Sequence, residues 1–61
     1  MTIKDIFETT AHGAKVYVRV FAAPKRYTDY EVTFDNVDQL SRDYAPECIV
    51  PRDNEIIIET A

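Results

Sequence analysis

The fold is decided by residues 14–22, which read AKVYVRVFA. Valines at the even positions alternate with Tyr17, Arg19 and Phe21 at the odd positions. Successive side chains of a β-strand point to opposite faces of a sheet, so this alternation predicts a strand with one apolar face and one mixed face. We expect the valine face to pack into the core and the mixed face to remain uncovered.

A second strand follows close behind the first. Pro24 predicts a turn over residues 23–26, and residues 29–34 alternate again between polar and apolar side chains. The two runs predict an antiparallel hairpin, in which residues opposite one another share a face. The register that we expect places Arg19 opposite Glu31, where the two charges can pair.

Two further stretches have helical spacing. Thr2 is a favoured N-cap, and the apolar residues after it predict a helix over residues 3–11, with His12 at its C-terminal end. Asn36 is a favoured N-cap for a second helix, predicted over residues 37–45 and ended by a proline.

The end of the chain completes the architecture. Residues 48–50 and 55–59 predict a second hairpin around a polar turn at residues 51–54. The element order α-β-β-α-β-β then favours an α+β fold of two layers, with a four-stranded, mainly antiparallel sheet and both short helices on one face. We expect one small domain over residues 1–61. The predicted core comprises Ile3, Ile6, Phe7, Val16, Val18, Val20, Tyr30, Val32, Phe34, Val37, Leu40, Tyr44, Val50, Ile56 and Ile58.

The uncovered sheet face is the main functional expectation. Alternation places four large apolar side chains among charges there: Tyr17, Phe21, Ile49 and Ile57. Scattered apolar residues are normal on a surface, but an apolar patch with a charged rim is typical of a protein interface. The predicted partner-binding residues are Tyr17, Arg19, Phe21, Asp29, Glu31, Ile57 and Glu59.

The charge distribution narrows the class of partner. The net charge is −4, but residues 1–26 carry five basic and two acidic side chains, whereas residues 27–61 carry two basic and nine acidic ones. This balance argues against binding to nucleic acid or to a membrane through phosphate contacts alone. The N-terminus has no signal-peptide pattern and no apolar run is long enough to span a bilayer, so we expect a cytoplasmic protein.

These observations predict a non-catalytic, acidic protein-binding module. We expect it to act as an inhibitor or accessory factor on a larger protein, such as one that handles nucleic acid, or to form a homodimer through the same face. In size and charge the chain is similar to small acidic proteins of phages and mobile elements that block a host machine, although no motif carries this likeness. The identity of the protein partner is open.

Nucleic-acid binding is the alternative function. The basic and aromatic hairpin over residues 15–27 can stack bases beside cations, as single-strand binders do. The residues of this alternative are Lys15, Tyr17, Arg19, Phe21, Lys25, Arg26 and Tyr27. The acidic remainder of the chain opposes it, and the recognition motifs of common nucleic-acid-binding folds are missing from the sequence.

Enzyme chemistry has little support in the sequence. Ser41 is the only serine and His12 the only histidine, and Cys48 follows an acidic residue rather than the basic surroundings that activate a thiol. One histidine and one cysteine cannot build a conventional zinc site, and one glycine cannot build a phosphate-binding loop. We therefore expect no catalytic residues, no metal and no cofactor.

Overall fold

The elements follow one another as two helices and four strands. The computed structural model describes residues 1–10 and 13–60. Residue 11 and His12, predicted at the end of the first helix, lie outside the described residues. The α+β class is confirmed, as is the order of the elements: α1 Ile3–Thr9, β1 Lys15–Ala23, β2 Arg26–Glu31, α2 Val37–Asp43, β3 Pro46–Arg52 and β4 Glu55–Thr60.

The four strands form one mixed sheet in the order β2-β1-β4-β3. Both hairpins are antiparallel, while β1 and β4 run parallel at the centre. The central place of β4 fits its sequence, because three consecutive isoleucines at positions 56–58 are typical of a strand that is buried on both faces. The first and last strands of the fold thus lie side by side and join the two hairpins.

The first hairpin has a different register from the one predicted. Arg19 lies opposite Asp29, and Glu31 lies opposite Tyr17. The turn of this hairpin consists of only two residues, 24 and 25, and β1 has a bulge at position 22, just before the turn. Because the turn is short, each β1 residue pairs with a β2 residue two positions earlier in the chain than we expected. The bulge adds one residue to β1, so the alternating residues keep their predicted faces.

The second hairpin also closes more tightly than predicted, and here the faces change. Its turn consists of residues 53 and 54, so Ile49 pairs with Ile58, and Val50 pairs with Ile57. A shift of one residue exchanges the two faces of a strand. The predictions that Ile49 lies on the uncovered face and Val50 in the core are therefore wrong: the two residues have exchanged faces, and Ile49 remains 45% exposed.

Both helices contribute to one core cluster with the sheet. Its buried members are Ile3, Ile6, Val16, Val18, Val32, Val37, Leu40 and Ile58, against which Phe7, Val20, Tyr44 and Ile56 pack. Two predicted core residues are instead exposed. Tyr30 lies on the edge strand β2. Phe34, which is 89% exposed, lies beyond the end of that strand and meets the Phe7 ring in a T-shaped contact with centroids 5.1 Å apart.

The helix termini are tied by short polar contacts. Thr2 and Asp5 form a reciprocal capping box at α1, and the backbone N–H of Lys4 donates to Ser41 Oγ of α2 at 2.7 Å. At α2, Asn36 occupies the N-cap position, but its side chain makes no capping bond to the helix. It bridges the preceding turn instead, accepting from the Thr33 N–H at 2.7 Å.

Candidate functional site

The odd-numbered side chains of β1 define one surface of the sheet, which we call the Arg19 face. Strand pairing extends this surface across all four strands. The Arg19 face comprises Lys15, Tyr17, Arg19 and Phe21 of β1, Tyr27, Asp29 and Glu31 of β2, Cys48, Val50 and Arg52 of β3, and Glu55, Ile57 and Glu59 of β4. The opposite surface, the Val18 face, carries the sheet residues of the core cluster.

Arg19 is the centre of the charged part of the Arg19 face. Its Nε donates to Asp29 Oδ1 at 2.9 Å and its Nη2 to Asp29 Oδ2 at 3.2 Å. Its Nη1 lies 3.9 Å from Glu59 Oε2 on the other neighbouring strand. The side chain of Arg19 is only 12% exposed, so this ion pair is more shielded than a typical surface pair. One guanidinium thus connects the three strands β2, β1 and β4.

Two aromatic rings continue from this network towards the end of the first hairpin. The guanidinium carbon of Arg19 lies 3.9 Å from the centroid of the Tyr27 ring, a cation–π contact. Tyr27 in turn meets Phe21 edge to face, with centroids 5.7 Å apart. Both rings are exposed to solvent. Arg19, Tyr27 and Phe21 therefore form a connected stack that ends in two exposed aromatic surfaces.

The charge on Arg19 is fixed by its surroundings. The hydrogen bonds to Asp29 raise the pKa of Arg19 above its ordinary value. Arginine is already protonated at any physiological pH, so the raised pKa does not change the charge of Arg19. The guanidinium is a permanent cation that lies between the carboxylates of Asp29 and Glu59. Most of its charge is compensated within the chain, which leaves a polar, orienting group rather than a free positive site.

Ile57 does not have the exposure that its predicted binding role requires. It lies on the Arg19 face between Tyr17 and Val50 in the ladder, but it is only 3% exposed. The run of three isoleucines was the available signal, since a strand that is central in a sheet, with a neighbour on each side, often loses its alternation. The remaining predicted partner-binding residues, Tyr17, Arg19, Phe21, Asp29, Glu31 and Glu59, all lie on the Arg19 face and are exposed or partly exposed.

Tyr27 is the residue that the predicted protein-binding set lacked. The sequence placed it only in the nucleic-acid alternative, because it falls between the turn predicted over residues 23–26 and the alternating run that begins at residue 29. The two-residue turn brings Tyr27 into β2, directly opposite Phe21. No feature of its own sequence neighbourhood distinguishes a two-residue from a longer turn, so the exposed aromatic pair could be found only with the register known.

The residues of the nucleic-acid alternative are only partly brought together. Lys25 and Arg26 are exposed at the end of the hairpin beside the two rings, and Lys15 is exposed at the other end of β1. Arg19, between them, is bound to Asp29 and lies close to Glu59. The basic groups therefore do not form one continuous surface along the strand.

Two of the residues considered for chemistry, Ser41 and Cys48, lie on different elements, α2 and β3. Ser41 Oγ accepts a hydrogen bond from the Lys4 N–H and joins the two helices, while Cys48 is exposed on the edge strand β3. Among residues 1–10 and 13–60, no three histidine, cysteine, aspartate or glutamate side chains come close enough to hold a metal ion. His12 lies outside those ranges.

Comparisons with known proteins leave the function to be argued from this geometry. No family model, no curated protein and no solved structure matches the chain significantly. In the part of the chain that the structure describes, neither helix has the length and apolar character needed to cross a bilayer.

Proposed function

We propose that the chain is a non-catalytic protein-binding module that uses its Arg19 face. Its partner presents an apolar pocket for the Phe21 and Tyr27 rings within a basic surface that complements the net charge of −4. In this function the module occupies the surface of a larger protein as an inhibitor or accessory factor in the cytoplasm. A protein that handles nucleic acid has the required basic surface.

The proposal takes both helices to lie on the Val18 face, so that the Arg19 face is open to a partner. The core cluster supports this arrangement. Ile3 and Ile6 of α1 and Leu40 of α2 pack with Val18 and Ile58, whose side chains point to the same side of the sheet. An element that buries its apolar stripe on one face of the sheet leaves the other face to solvent or to a partner.

The observation that carries the proposal is the connected stack of Arg19, Tyr27 and Phe21. Tyrosine and arginine are enriched among the residues that dominate binding energy at interfaces. Here the arginine is held by two hydrogen bonds to Asp29, and Tyr27 is held between Arg19 and Phe21. Side chains that are ordered before binding lose less entropy on association, so the stack is a preorganised anchor.

A comparison of two phenylalanines tests the proposal. Phe21→Lys replaces an aromatic ring of the Arg19 face with a charge. Phe34→Lys makes the same replacement at an exposed ring that contacts Phe7 of α1. Affinity capture from an extract of the cells that make the protein should recover a partner with the wild type and with Phe34→Lys. Capture by Phe21→Lys, and by Tyr27→Lys as a second variant, should fall at least tenfold.

Circular dichroism shows whether each variant remains folded. A folded Phe21→Lys protein that captures the same partner as strongly as the wild type contradicts the use of the Arg19 face.

The dependence of capture on salt concentration is an independent test. The complex should persist at high salt and lose only the contribution of its charged rim, because ions screen charge complementarity but not the burial of the two aromatic rings.

Binding of single-stranded nucleic acid is the second candidate. It is favoured by the exposed Phe21 and Tyr27 rings with Lys25 and Arg26 beside them, an arrangement that can stack bases near cations. Titration of the labelled protein with a single-stranded oligonucleotide at low salt tests it. Amide shifts over residues 15–27 that disappear as salt rises support this candidate, and unchanged amides exclude it.

A further inference from the structure

The two edges of the sheet are unequally protected against pairing with another strand. β3 forms one edge and contains Pro46 and Pro51, which lack a backbone N–H. β2 forms the other edge, contains no proline, and exposes all six of its residues. Natural sheets commonly interrupt an exposed edge with proline because an open edge is a template for another strand. The edge at β2 lacks this interruption.

The hydrogen-bonding pattern shows which groups of β2 face outward. The Val32 N–H donates to the Val16 carbonyl at 2.8 Å, so this pair is a hydrogen-bonded one. Such pairs alternate along an antiparallel ladder, which assigns Tyr30 and Thr28 to the inner side as well. The backbone groups of Tyr27 and Asp29, on either side of Thr28, therefore point away from β1 and towards the open edge.

We propose that β2 pairs with β2 of a second copy of this chain, antiparallel and centred on Thr28. A two-fold axis through the sheet then gives a continuous eight-stranded sheet with both Arg19 faces on the same side. Tyr27 and Asp29 of each copy exchange about four backbone hydrogen bonds. Besides the central Thr28 pair, the register sets Arg26 opposite Tyr30 and Lys25 opposite Glu31.

Charge complementarity selects this register and this occupant. Each Lys25 meets a Glu31 carboxylate of the other copy, and each Arg26 meets a Tyr30 ring. Centring the pair on Asp29 would set two like charges against each other. Centring it on Tyr27 would set Lys25 opposite Asp29, whose carboxylate already binds Arg19. The inference does not depend on the proposed function, because the two copies pair through backbone groups at the β2 edge and leave the Phe21 and Tyr27 rings uncovered by this contact.

Two measurements on the unmodified chain test the pairing. Sedimentation equilibrium over a range of concentrations should show a mass that rises from that of the monomer towards twice that value. Hydrogen exchange should show that the Tyr27 and Asp29 amides become protected as concentration rises. The Thr28 and Tyr30 amides should be protected in both states, since they bond within the hairpin.

A charge exchange tests the register. Lys25→Glu and Glu31→Lys should each weaken dimerisation by about tenfold at low salt, because each change disturbs two symmetric contacts. The double variant K25E/E31K should restore the dimer to within about threefold of the wild type. Glu47→Lys on β3 is the matched control at the opposite edge and should leave dimerisation unchanged.

The outcomes separate the proposal from its competitors. Concentration-dependent protection at Tyr27 and Asp29 together with rescue by the charge exchange supports the paired edge. A chain that remains monomeric at millimolar concentration overturns it. A dimer that survives Lys25→Glu but is lost in Phe21→Lys also overturns it, because that dimer forms through the Arg19 face. Capture of another protein is measured separately from dimerisation, so the proposed function can fail or succeed whatever the dimerisation experiments show.

Discussion

Arg19 and Asp29 face each other across the first hairpin and are joined by two hydrogen bonds from the guanidinium to both carboxylate oxygens. This planar, two-point contact fixes the relative position of the strands more tightly than a single ion pair does. We therefore expect the pair to stabilise the observed register. A double-mutant cycle with Arg19→Ala and Asp29→Ala should give a coupling energy of about 1 kcal/mol by urea unfolding.

Glu59 supplies the control for this cycle. Its carboxylate lies 3.9 Å from Arg19 Nη1 and is not among the hydrogen-bonded partners of Arg19 in the described residues. The Arg19–Glu59 cycle should therefore give a smaller coupling, below about 0.5 kcal/mol. Equal couplings in the two cycles would show that net charge, rather than the two-point contact with Asp29, determines the stability of this network.

The two hairpins show how far alternation predicts a fold. Alternation placed Val18 and Arg19 on opposite faces, and the parity of the first hairpin was correct although Arg19 pairs with Asp29 and not with Glu31. In the second hairpin the faces of Ile49 and Val50 were reversed, because Val50 pairs with Ile57 and Ile49 pairs with Ile58 across a turn of two residues and not four. Turn length is a backbone property that side-chain periodicity does not record, and so the apolar pattern alone could not decide it.

Alternation also predicted only part of the candidate site. Arg19 and Phe21 were placed together on one face because they share a strand, which needs only local alternation. The contact of Arg19 with Tyr27 joins different strands and depends on the register. The burial of Ile57 depends on which strand is central, and that is set by the parallel pairing of β1 with β4. Long-range pairing is not encoded in any short stretch of the chain.

The pairing of Ile49 with Ile58 gives a prediction about stability. The two isoleucines are opposite one another on the same face, but Ile58 is 0% exposed and Ile49 is 45% exposed. Ile58→Ala leaves a cavity in the core cluster and should cost about 2–5 kcal/mol, enough to unfold a chain of this size. Ile49→Ala should cost less than about 1 kcal/mol. Thermal unfolding measures both, and similar losses would contradict the difference in burial between Ile58 and Ile49.

The left-handed residues give a prediction about the backbone. Gly13 has φ of 89° and Asn54 has φ of 59°. Apart from its chain neighbours, no atom of the described residues lies within 4 Å of a Cβ atom placed at Gly13, so we attribute the cost of Gly13→Ala to the backbone conformation. We expect a loss of about 1–2 kcal/mol for Gly13→Ala. Asn54→Gly should be tolerated within about 0.5 kcal/mol, since glycine adopts positive φ freely, while Asn54→Ala should be worse. Chemical denaturation of the three variants orders them.

The capping box of α1 gives a prediction about pH. The Asp5 carboxylate accepts from the Thr2 N–H at 3.0 Å, and its bonds to Thr2 hold the pKa of Asp5 below its ordinary value of 3.8. An acid whose pKa is lower in the folded state than in the unfolded state stabilises the fold at pH above its unfolded value. That stability is lost as pH falls through the folded value. Wild-type unfolding should thus become easier below about pH 4.

Asp5→Asn should be less stable than the wild type at pH 7 and should lose less further stability on acidification. Glu8→Gln, one turn further along α1, serves as the control and should retain the wild-type acid response. If Asp5→Asn and the wild type lose the same free energy of unfolding between pH 7 and pH 2, the capping carboxylate does not contribute to the acid sensitivity of the fold.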